Sequence, residues 1–474
     1  MSKKVSYDEN NQKSIFSYAK RLENSTVAKT LEKYSSVKFP ETGYYIDEDK
    51  NKKQTFKGKG RFGQFLESEY FGLEINSYSR PDFEDANLEL KVVPLKRLKS
   101  NNELRAKERV VLGMIDFFSI IDEDFDSSHL IYKNAELLLV FYIHNNLLSL
   151  EDLHIDLVDI WRIIEEDYKQ IKKDWETIVA KVKAGEADTI SEGDTLLLGA
   201  ATKGSTMLKS LTKQPFSPIK ARQRAFCFKI NYVNYIYQTL LERKGQKSRI
   251  KEEIKLIQPD EELTLEEAIY NKLYKYFGIS APQIAKLNNW DYNPKYKARY
   301  ARLTELLLGL DRKNKTIREF NISGIELKTI RVLSNGSLPE AMSFKAIDFC
   351  EIVEEEWEDS DFYQSLVSKF LFVIYKENSS GEFSLFNFKL WNMPEKDFEL
   401  AKKVWLDTRE KIINGDYSNF TKMKKPKGER GVAHVRPKGV KGQLVLTPQN
   451  TYELPKSFWL DKNYVKEAIS NLIS

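Results

Sequence analysis

The amino-acid sequence repeats one order of motifs, and this repetition constrains the fold more than any other feature. Five segments of the N-terminal half recur in the C-terminal half, displaced by 230 to 238 residues. The pairs are 59–67 with 297–305, 82–91 with 319–328, 137–143 with 370–375, Trp175 to Gly185 with Trp405 to Gly415, and 226–232 with 458–464. Self-similarity of this kind predicts repeated structural units. We therefore expect two tandem copies of one domain, at residues 1–241 and 263–474, joined by a polar linker over 242–262.

Helices and strands are predicted to be mixed within each copy. The alternation over 88–93 and the apolar run over 136–143 predict strands, the second buried in a sheet on both faces. Residues 65–71 have a helical pattern. Apolar residues spaced by three and four over 157–182 predict one amphipathic helix that ends at Gly185. This mixture predicts an α/β or α+β domain with a central mixed sheet flanked by helices.

Composition excludes several classes of protein. The two cysteines, Cys227 and Cys350, cannot form a disulfide framework or a zinc site of the usual spacing. The longest apolar run, 137–143, is far shorter than the roughly 20 residues of a membrane span. No apolar stretch follows the first residues, so no signal peptide is recognised. We expect a cytoplasmic protein that does not act at a membrane.

Basic residues are concentrated in two stretches, although the net charge is only +5. Residues 201–224 contain six basic side chains and no acid, and residues 422–438 contain seven basic side chains and one acid, Glu429. Local positive charge of this kind is typical of a surface that binds a polyanion, whereas a single stretch could also be a solvated loop. The two stretches fall at the same place in each copy, which favours loops that face nucleic acid.

One strand carries residues suited to phosphodiester hydrolysis. Asp82, Glu89 and Lys91 follow the pattern Asp-x6-Glu-x-Lys. Glu89 and Lys91 are two residues apart, so their side chains share one face of a strand, and Asp82 can reach the same place from the preceding turn. Two carboxylates supply the oxygen ligands that Mg²⁺ prefers, and the lysine can offset charge on a phosphoryl oxygen. Glu-x-Lys by itself is unspecific, because such pairs are mostly solvated charges.

The wider pattern resembles a known family. Lys59-Gly-x-x-Gly-x-x-Leu-Glu67 followed by Asp82-Phe-x4-Leu-Glu89-Leu-Lys91 is similar to the active site of MutH, the mismatch-repair enzyme that nicks at GATC, and of the GATC-specific type II restriction endonucleases built like it. Residues 435–438 and 455–463 resemble the DNA-reading C-terminal part of the same family. The length of the chain resembles the tandem-domain, staphylococcal type of these enzymes.

The resemblance implies roles for individual residues. In the active site these are Asp82 and Glu89 as Mg²⁺ ligands, Glu67 as a glutamate beside the metal, Lys91 as the catalytic lysine, and Lys59 and Lys133 as further active-site lysines. The residues expected to contact DNA are Thr202, Lys203, Lys209, Lys213, Arg222 and Arg224 in the first copy and Arg436 and Lys438 in the second. The first copy keeps only Thr202-Lys203 of the family's Arg-Pro-Lys motif, and it has Cys227 where the family has an aromatic residue.

The second copy departs from the family at its active site. Glu319 stands where the first copy has its aspartate, Leu366 stands where it has Lys133, and the two motif glycines are alanines. We expect this copy to bind DNA without cutting it.

The resulting hypothesis is a Mg²⁺-dependent type II restriction endonuclease that cuts duplex DNA at GATC, with the second copy as an effector that binds another site. The chain is then expected to be a monomer when free, to pair with a second chain on DNA, and to have a companion DNA methyltransferase. The alternatives are a strand-nicking mismatch-repair endonuclease and a DNA-binding protein without activity. The complete Asp82, Glu89 and Lys91 set argues against the last, and the duplicated length argues against the nicking enzyme.

Overall fold

The polypeptide divides into two compact units. A computed structural model describes residues 7–34, 60–75, 78–98, 102–204, 210–245, 252–258, 260–310, 315–418, 420, 431–439 and 442–473. Unit 1 comprises Met1–Asp188 and Leu197–Arg249, and unit 2 comprises Thr189–Leu196 and Ile250–Ser474. Among the described residues, no helix has the length and apolar character needed to cross a bilayer.

The described residues of unit 1 form two sheets, a hairpin and six α-helices. Its strands are β1 (Glu89–Arg97), β2 (Leu104–Ala106), β3 (Val110–Met114), β4 (Glu136–Ile143), β5 (Ile155–Arg162), β6 (Leu198–Thr202), β7 (Leu211–Gln214), β8 (Ser217–Arg222) and β9 (Arg224–Phe228). Its helices are α1 (Gln12–Ala19), α2 (Val27–Tyr34), α3 (Arg61–Phe65), α4 (His129–Asn134), α5 (Glu165–Lys183) and α6 (Ile230–Arg243), and a π-helical turn, Leu66–Tyr70, follows α3. The sheet orders are β2-β1-β4-β5 and β3-β9-β6, and β7 pairs with β8.

Strand β4 organises the larger sheet of unit 1. It pairs in parallel with β1 and antiparallel with β5, so the sheet is mixed. Residues 137–142 are all buried, as a strand covered on both faces requires. Leu138 and the alternate residues after it pack in one cluster with Phe62 and Phe65 of α3. This packing places the π-helical turn, and Glu67 within it, against the sheet.

The predicted strands at 88–93 and 136–143 are confirmed by β1 and β4, and the predicted end at Gly185 is confirmed by its left-handed backbone, φ +73°. The single helix predicted over 157–182 is wrong at its N-terminal end. Residues 155–162 form β5, and α5 begins only at Glu165. Apolar residues on an irregularly buried strand can match helical spacing by chance, and pairing with β4 decides the conformation.

Unit 2 is also a mixed α/β structure. Its strands are β10 (Glu252–Ile254), β11 (Lys315–Ile317), β12 (Glu326–Val332), β13 (Met342–Ala346), β14 (Phe370–Glu377), β15 (Phe383–Trp391), β16 (Ala433–Pro437), β17 (Val445–Leu446), β18 (Tyr452–Glu453) and β19 (Lys456–Leu460). Its helices are α7 (Leu265–Leu273), α8 (Ala281–Leu287), α9 (Arg299–Leu307), α10 (Arg318–Ser323), α11 (Phe349–Ile352), α12 (Asp361–Val367), α13 (Glu395–Ile413), α14 (Lys462–Ala468) and α15 (Ser470–Ile473). The sheets are β12-β14-β15 and β13-β19-β16, with the pairs β10-β11 and β17-β18.

The core of unit 2 lies on both faces of β14. Phe370 and alternate residues after it pack into one cluster, which also holds Trp405 of α13, and Leu371 and alternate residues after it pack into another. Trp405 and its counterpart Trp175 are therefore core residues, as predicted. Residues 252–254, within the stretch predicted as a linker, form β10 and pair with β11.

The same strand register and the same kind of buried hydrogen bond occur within each of the two units. Glu89 lies opposite Leu137 in unit 1, and Glu326 lies opposite Phe370 in unit 2, in parallel strand pairs of the same kind. In each unit the third residue of the long helix is a buried aspartate that accepts a hydrogen bond from a buried tyrosine hydroxyl. These pairs are Asp167 with Tyr232 (2.9 Å) and Asp397 with Tyr464 (2.8 Å).

We predict that Tyr232→Phe and Tyr464→Phe each lower the free energy of unfolding by about 1–3 kcal/mol, because each change removes a donor from a buried carboxylate. Denaturant titration of the full chain measures the effect. Tyr452→Phe is the control, since Tyr452 is exposed and its hydroxyl is in water. Wild-type stability in both core variants would show that the two hydrogen bonds contribute nothing net.

Candidate active site

The first pair of predicted catalytic residues meets on β1. Glu89 and Lys91 lie on the same face, and Lys91 Nζ is 2.6 Å from Glu89 Oε1. The Glu89 side chain is only 2% exposed. A carboxylate buried to this extent requires a positive partner and hydrogen bonds to remain charged. The strand therefore supplies the acid and its counter-ion together.

Asp82 is joined to Glu89 by reciprocal hydrogen bonds. The Asp82 backbone N–H donates to Glu89 Oε2 (3.0 Å), and the Leu90 backbone N–H donates to Asp82 Oδ2 (3.0 Å). A β-bridge between Phe83 and Leu88 closes the turn between the two acids. The turn thus holds both carboxylates beside the start of β1, as the sequence spacing predicted.

Lys133 enters the same cluster from α4. Its Nζ lies 3.5 Å from Glu89 Oε1 and donates a hydrogen bond of 2.8 Å to the backbone carbonyl of Tyr78. Two ammonium groups therefore face one buried carboxylate. No motif spacing in the sequence identifies Lys133, and only the resemblance to the family suggested it.

Glu67 is a half-buried residue of the π-helical turn after α3. π-Helical turns are rare in proteins overall, and those that do occur are often found at functional sites. The pKa of Glu67 is raised overall, mainly by burial. The charge of Lys91 opposes this shift, and the charge of Glu89 adds to it. Glu67 thus belongs to the same electrostatic cluster as β1. Lys59, the remaining predicted residue of this site, lies outside the described residues.

Asp82 is largely buried next to the Glu89 side chain. Burial, reinforced by the charge of Glu89, raises the pKa of the Asp82 carboxyl to about 7. Neighbouring carboxylates repel each other when both are ionised, and a cation placed between them would relieve the repulsion.

The residues present fit a hard divalent cation. Within the described ranges, no group of three or more His, Cys, Asp or Glu side chains forms a preassembled metal cage. Mg²⁺ does not require one, because it keeps several waters and is usually held by one or two carboxylates. Asp82 and Glu89 would hold it, with Glu67 near them. No thiolate or imidazole is part of the cluster, which suits oxygen ligation.

The corresponding residues of unit 2 are arranged differently. Lys328 pairs with Glu326 (2.9 Å), as on β1. The carboxylate of Glu319, however, accepts hydrogen bonds from the backbone N–H groups of Leu256 and Ile257. The counterpart of Glu67, Glu305, is paired with Arg302. In unit 2 these two acids are occupied by structural contacts.

The predicted DNA-contacting residues of unit 1 lie on and after β6. Thr202 is half-buried, Lys213 on β7 is exposed, and Arg222 on β8 is half-buried. Lys203 follows β6, and its backbone N–H donates to the Gln223 carbonyl. Lys209 lies outside the described residues.

Arg224 does not lie on the surface. It is 1% exposed and donates a hydrogen bond of 2.7 Å to the Ala200 carbonyl. Every residue of β9 is buried, so Arg224 points into the domain as part of that strand. A contact with DNA would require it to leave this position, and we assign it a structural role.

In unit 2, Arg436 and Lys438 are both held in place. The Arg436 guanidinium lies over the Trp459 ring at 3.8 Å from its centroid. Lys438 Nζ donates to Ser343 Oγ (3.1 Å) and to the Phe344 carbonyl, and burial together with the charge of Lys328 lowers its pKa. Trp459 was not singled out from the sequence.

The first copy lacks the arginine of the family's Arg-Pro-Lys motif and has Cys227 in place of an aromatic residue. These two departures concern one pair of positions. His434 lies opposite Trp459 in the β16–β19 pair, and Gly199 lies opposite Cys227 in the β6–β9 pair. In this register the stacked pair Arg436–Trp459 corresponds to Ala201 and Cys227. The arginine and its stacking partner are thus missing together. Cys227 is fully buried, as predicted for a small apolar residue.

We predict that Asp82→Asn raises the free energy of unfolding by about 0.5–2 kcal/mol in a chelator-containing buffer above neutral pH. A folded-state pKa above the unfolded value means that the ionised Asp82 destabilises the fold once the pH exceeds its unfolded pKa. Asparagine removes this charge, and its amide oxygen can still accept from Leu90. Thermal unfolding measures the change, with the exposed Asp85→Asn as control. A loss of stability would contradict the argument that the ionised, buried Asp82 destabilises the fold.

Comparison with known proteins agrees with this geometry. The family model described as DNA mismatch repair enzyme MutH matches residues 71–174 and 308–403, which include Asp82, Glu89 and Lys91 and their counterparts. The chain is 30% identical over 473 residues to the type II restriction enzyme Sau3AI of Staphylococcus aureus, covering 88% of this chain and 94% of that protein. It is 25% identical over 173 residues to the DNA mismatch repair protein MutH of Yersinia enterocolitica, covering 36% of this chain and 73% of that protein. The resemblance predicted from the motifs is confirmed, and the chain belongs to the MutH-like type II restriction endonucleases.

Proposed function

We propose that this protein hydrolyses phosphodiester bonds of duplex DNA at GATC sites in a Mg²⁺-dependent reaction carried out by unit 1. The observation that carries the proposal is the cluster of Asp82, Glu89 and Lys91 on one turn and strand, with Lys133 beside it. The resemblance of this motif to GATC-specific enzymes supports the recognition site. We further propose that the enzyme acts in the cytoplasm together with a DNA methyltransferase.

Each residue of the cluster has a distinct task in such a reaction. Asp82 and Glu89 would hold the metal, and a bound Mg²⁺ supplies an activated water and offsets charge on the phosphoryl oxygens. Lys91 has its ammonium at the Glu89 carboxylate, where it can orient the attacking water or accompany the developing negative charge. Lys133 adds a second positive charge on the same side.

The proposed role of unit 2 is to bind a second GATC duplex and stimulate cutting by unit 1. Two observations support it. The acids that correspond to Asp82 and Glu67 make structural contacts in unit 2, and Arg436 is held over Trp459 in an orientation fixed by stacking. The two matched regions are then tandem copies of one domain with divided tasks. With one competent site per chain, a double-strand break requires two chains paired on DNA, or two successive nicks by a monomer.

The direct test is incubation of the purified protein with a plasmid that contains GATC, with Mg²⁺ or with a chelator. We expect linear fragments with ends at GATC only when Mg²⁺ is present. Nicked circles as the final product would favour the strand-nicking alternative. Bound but intact plasmid would favour a DNA-binding protein without activity.

We predict that Asp82→Ala, Glu89→Ala and Lys91→Ala each reduce cleavage at least about 100-fold, because the cluster acts as a unit in stabilising the transition state. DNA binding should persist, since most affinity comes from phosphate contacts elsewhere. Single-turnover cleavage and gel shift measure the two properties. Lys328→Ala is the matched control: this lysine is paired with a glutamate in the same way, but in unit 2. Normal cleavage by Lys91→Ala would refute the assignment.

We predict that the wild type cuts a plasmid with two GATC sites about fivefold or more faster per site than a plasmid with one, a typical size of coupling between sites. Arg436→Ala should remove this advantage and leave one-site cleavage unchanged, because the change weakens DNA binding by unit 2 only. Lys286→Ala, an exposed lysine of α8, is the control. An advantage that persists in Arg436→Ala would argue against the effector role of unit 2.

A further inference from the structure

Unit 1 contains a cavity beside the carboxylate cluster, and none of the residues that line it was predicted from the sequence to act in catalysis or DNA binding. It is widely open to solvent, with a volume of about 700 Å³. Its lining residues are Tyr78, Ser79, Arg80, Glu84, Ser127, His129 and Tyr132. Lys133 connects the cavity to the active site, because its Nζ donates to the Tyr78 carbonyl and lies 3.5 Å from Glu89.

The lining has the chemistry of a surface for a nucleic-acid strand. Tyr78 and Tyr132 are 54% and 50% exposed, so a large part of each residue is accessible from solvent. The Arg80 guanidinium lies 4.8 Å from the Tyr78 ring centroid. Exposed aromatic rings beside an arginine are what proteins use to contact bases, sugars and phosphates of one strand.

The charged groups at the cavity are held in defined positions. Arg80 Nη1 pairs with Glu84 Oε2 at 2.7 Å, and His129 Nδ1 lies 3.0 Å from Glu123 Oε1. A guanidinium has five N–H donors, so the Glu84 contact leaves Arg80 able to bind a phosphate. Glu84 thus orients the arginine without consuming its donors.

The cavity has no equivalent at the matching positions of unit 2. The counterpart of Arg80 is Ile317, which is fully buried at the end of β11, where it pairs with β10. The counterpart of His129 is Phe362, which is buried in the core. The exposed aromatic and basic lining therefore accompanies the complete Asp82, Glu89 and Lys91 cluster, which indicates a task in cleavage.

We propose that this cavity holds the strand that is being cut, next to the scissile phosphate, with Arg80 bound to a neighbouring phosphate and Tyr132 in contact with the adjoining nucleotide. Arg80 is two residues from Asp82, so their α-carbons are at most about 7 Å apart. A strand whose scissile phosphate lies at Asp82 and Glu89 can therefore bring a neighbouring phosphate within reach of Arg80. The inference rests on the proposed function. It adds Arg80 and Tyr132 as residues that contact the DNA strand beside Asp82 and Glu89.

The experiment uses one-site GATC duplexes in which a single phosphate near the cut is replaced by a neutral methylphosphonate, one position at a time. For the wild type, we expect one neighbouring position to lower kcat/KM about tenfold, the size of one charged hydrogen bond. Arg80→Ala should cut the unmodified duplex about tenfold more slowly and show no additional loss at that position. Arg80→Lys, which keeps the charge, should restore part of the loss. Tyr132→Ala should lower kcat/KM by a similar factor, with a normal melting temperature.

Two controls separate this contact from general effects. Arg105→Ala removes another exposed, glutamate-paired arginine, which lies on β2 opposite Lys96 of β1, and should keep the full position-specific loss. Arg80→Ala combined with Glu84→Gln should behave like Arg80→Ala alone, which excludes repulsion by an unpaired Glu84 as the cause. If Arg80→Ala retains the loss at that position, the proposal is wrong even when GATC is cut normally. If the wild type leaves GATC uncut, the proposed function fails, and the same scan read as equilibrium binding still decides whether Arg80 contacts one phosphate.

Discussion

The buried carboxylate of Glu89 is the group around which unit 1 is organised. Its two oxygens are approached by Lys91, Lys133 and the Asp82 backbone N–H, so a β-strand, a helix and a turn all depend on one charge. Withdrawing such a charge from water costs several kcal/mol unless partners compensate it. Asp82 lies beside it, and burial, with added repulsion from the charge of Glu89, raises the pKa of the Asp82 carboxyl. The proposed Mg²⁺ would offset this cost.

Unit 2 has the same strand register and buried Asp–Tyr hydrogen bond as unit 1, but its charged side chains are arranged differently. The buried Asp–Tyr hydrogen bond and the strand register recur, because both are needed to attach the long helix and to align the sheet. Glu326 is 32% exposed, compared with 2% for Glu89, so its pairing with Lys328 is weaker and more solvated. Where unit 1 concentrates negative charge, unit 2 has an arginine stacked on a tryptophan, and unit 1 has Ala201 and Cys227 at the compared positions.

Local periodicity was sufficient to predict part of the site. Glu89 and Lys91 share a face because every strand alternates, and β4 is evident from its uninterrupted apolar sequence. Lys133 was found only through family resemblance, since its approach to Glu89 depends on the parallel pairing of β1 and β4. The burial of Arg224 was missed because a run of basic residues gives no sign that one member belongs to a strand whose residues are all inside. The division of 155–183 into β5 and α5 likewise depends on pairing across the sheet.

The two lysines of the cluster are positioned by different parts of the chain. Lys91 projects from β1 and is fixed with Glu89 by the rigid sheet. Lys133 is held at the Tyr78 carbonyl, in the segment that leads through Arg80 to Asp82. Any shift of this segment displaces a metal-ligand candidate and a lysine together, whereas Glu89 and Lys91 stay with the sheet. A DNA strand bound along Tyr78 and Arg80 would therefore set the position of half of the catalytic cluster relative to the other half.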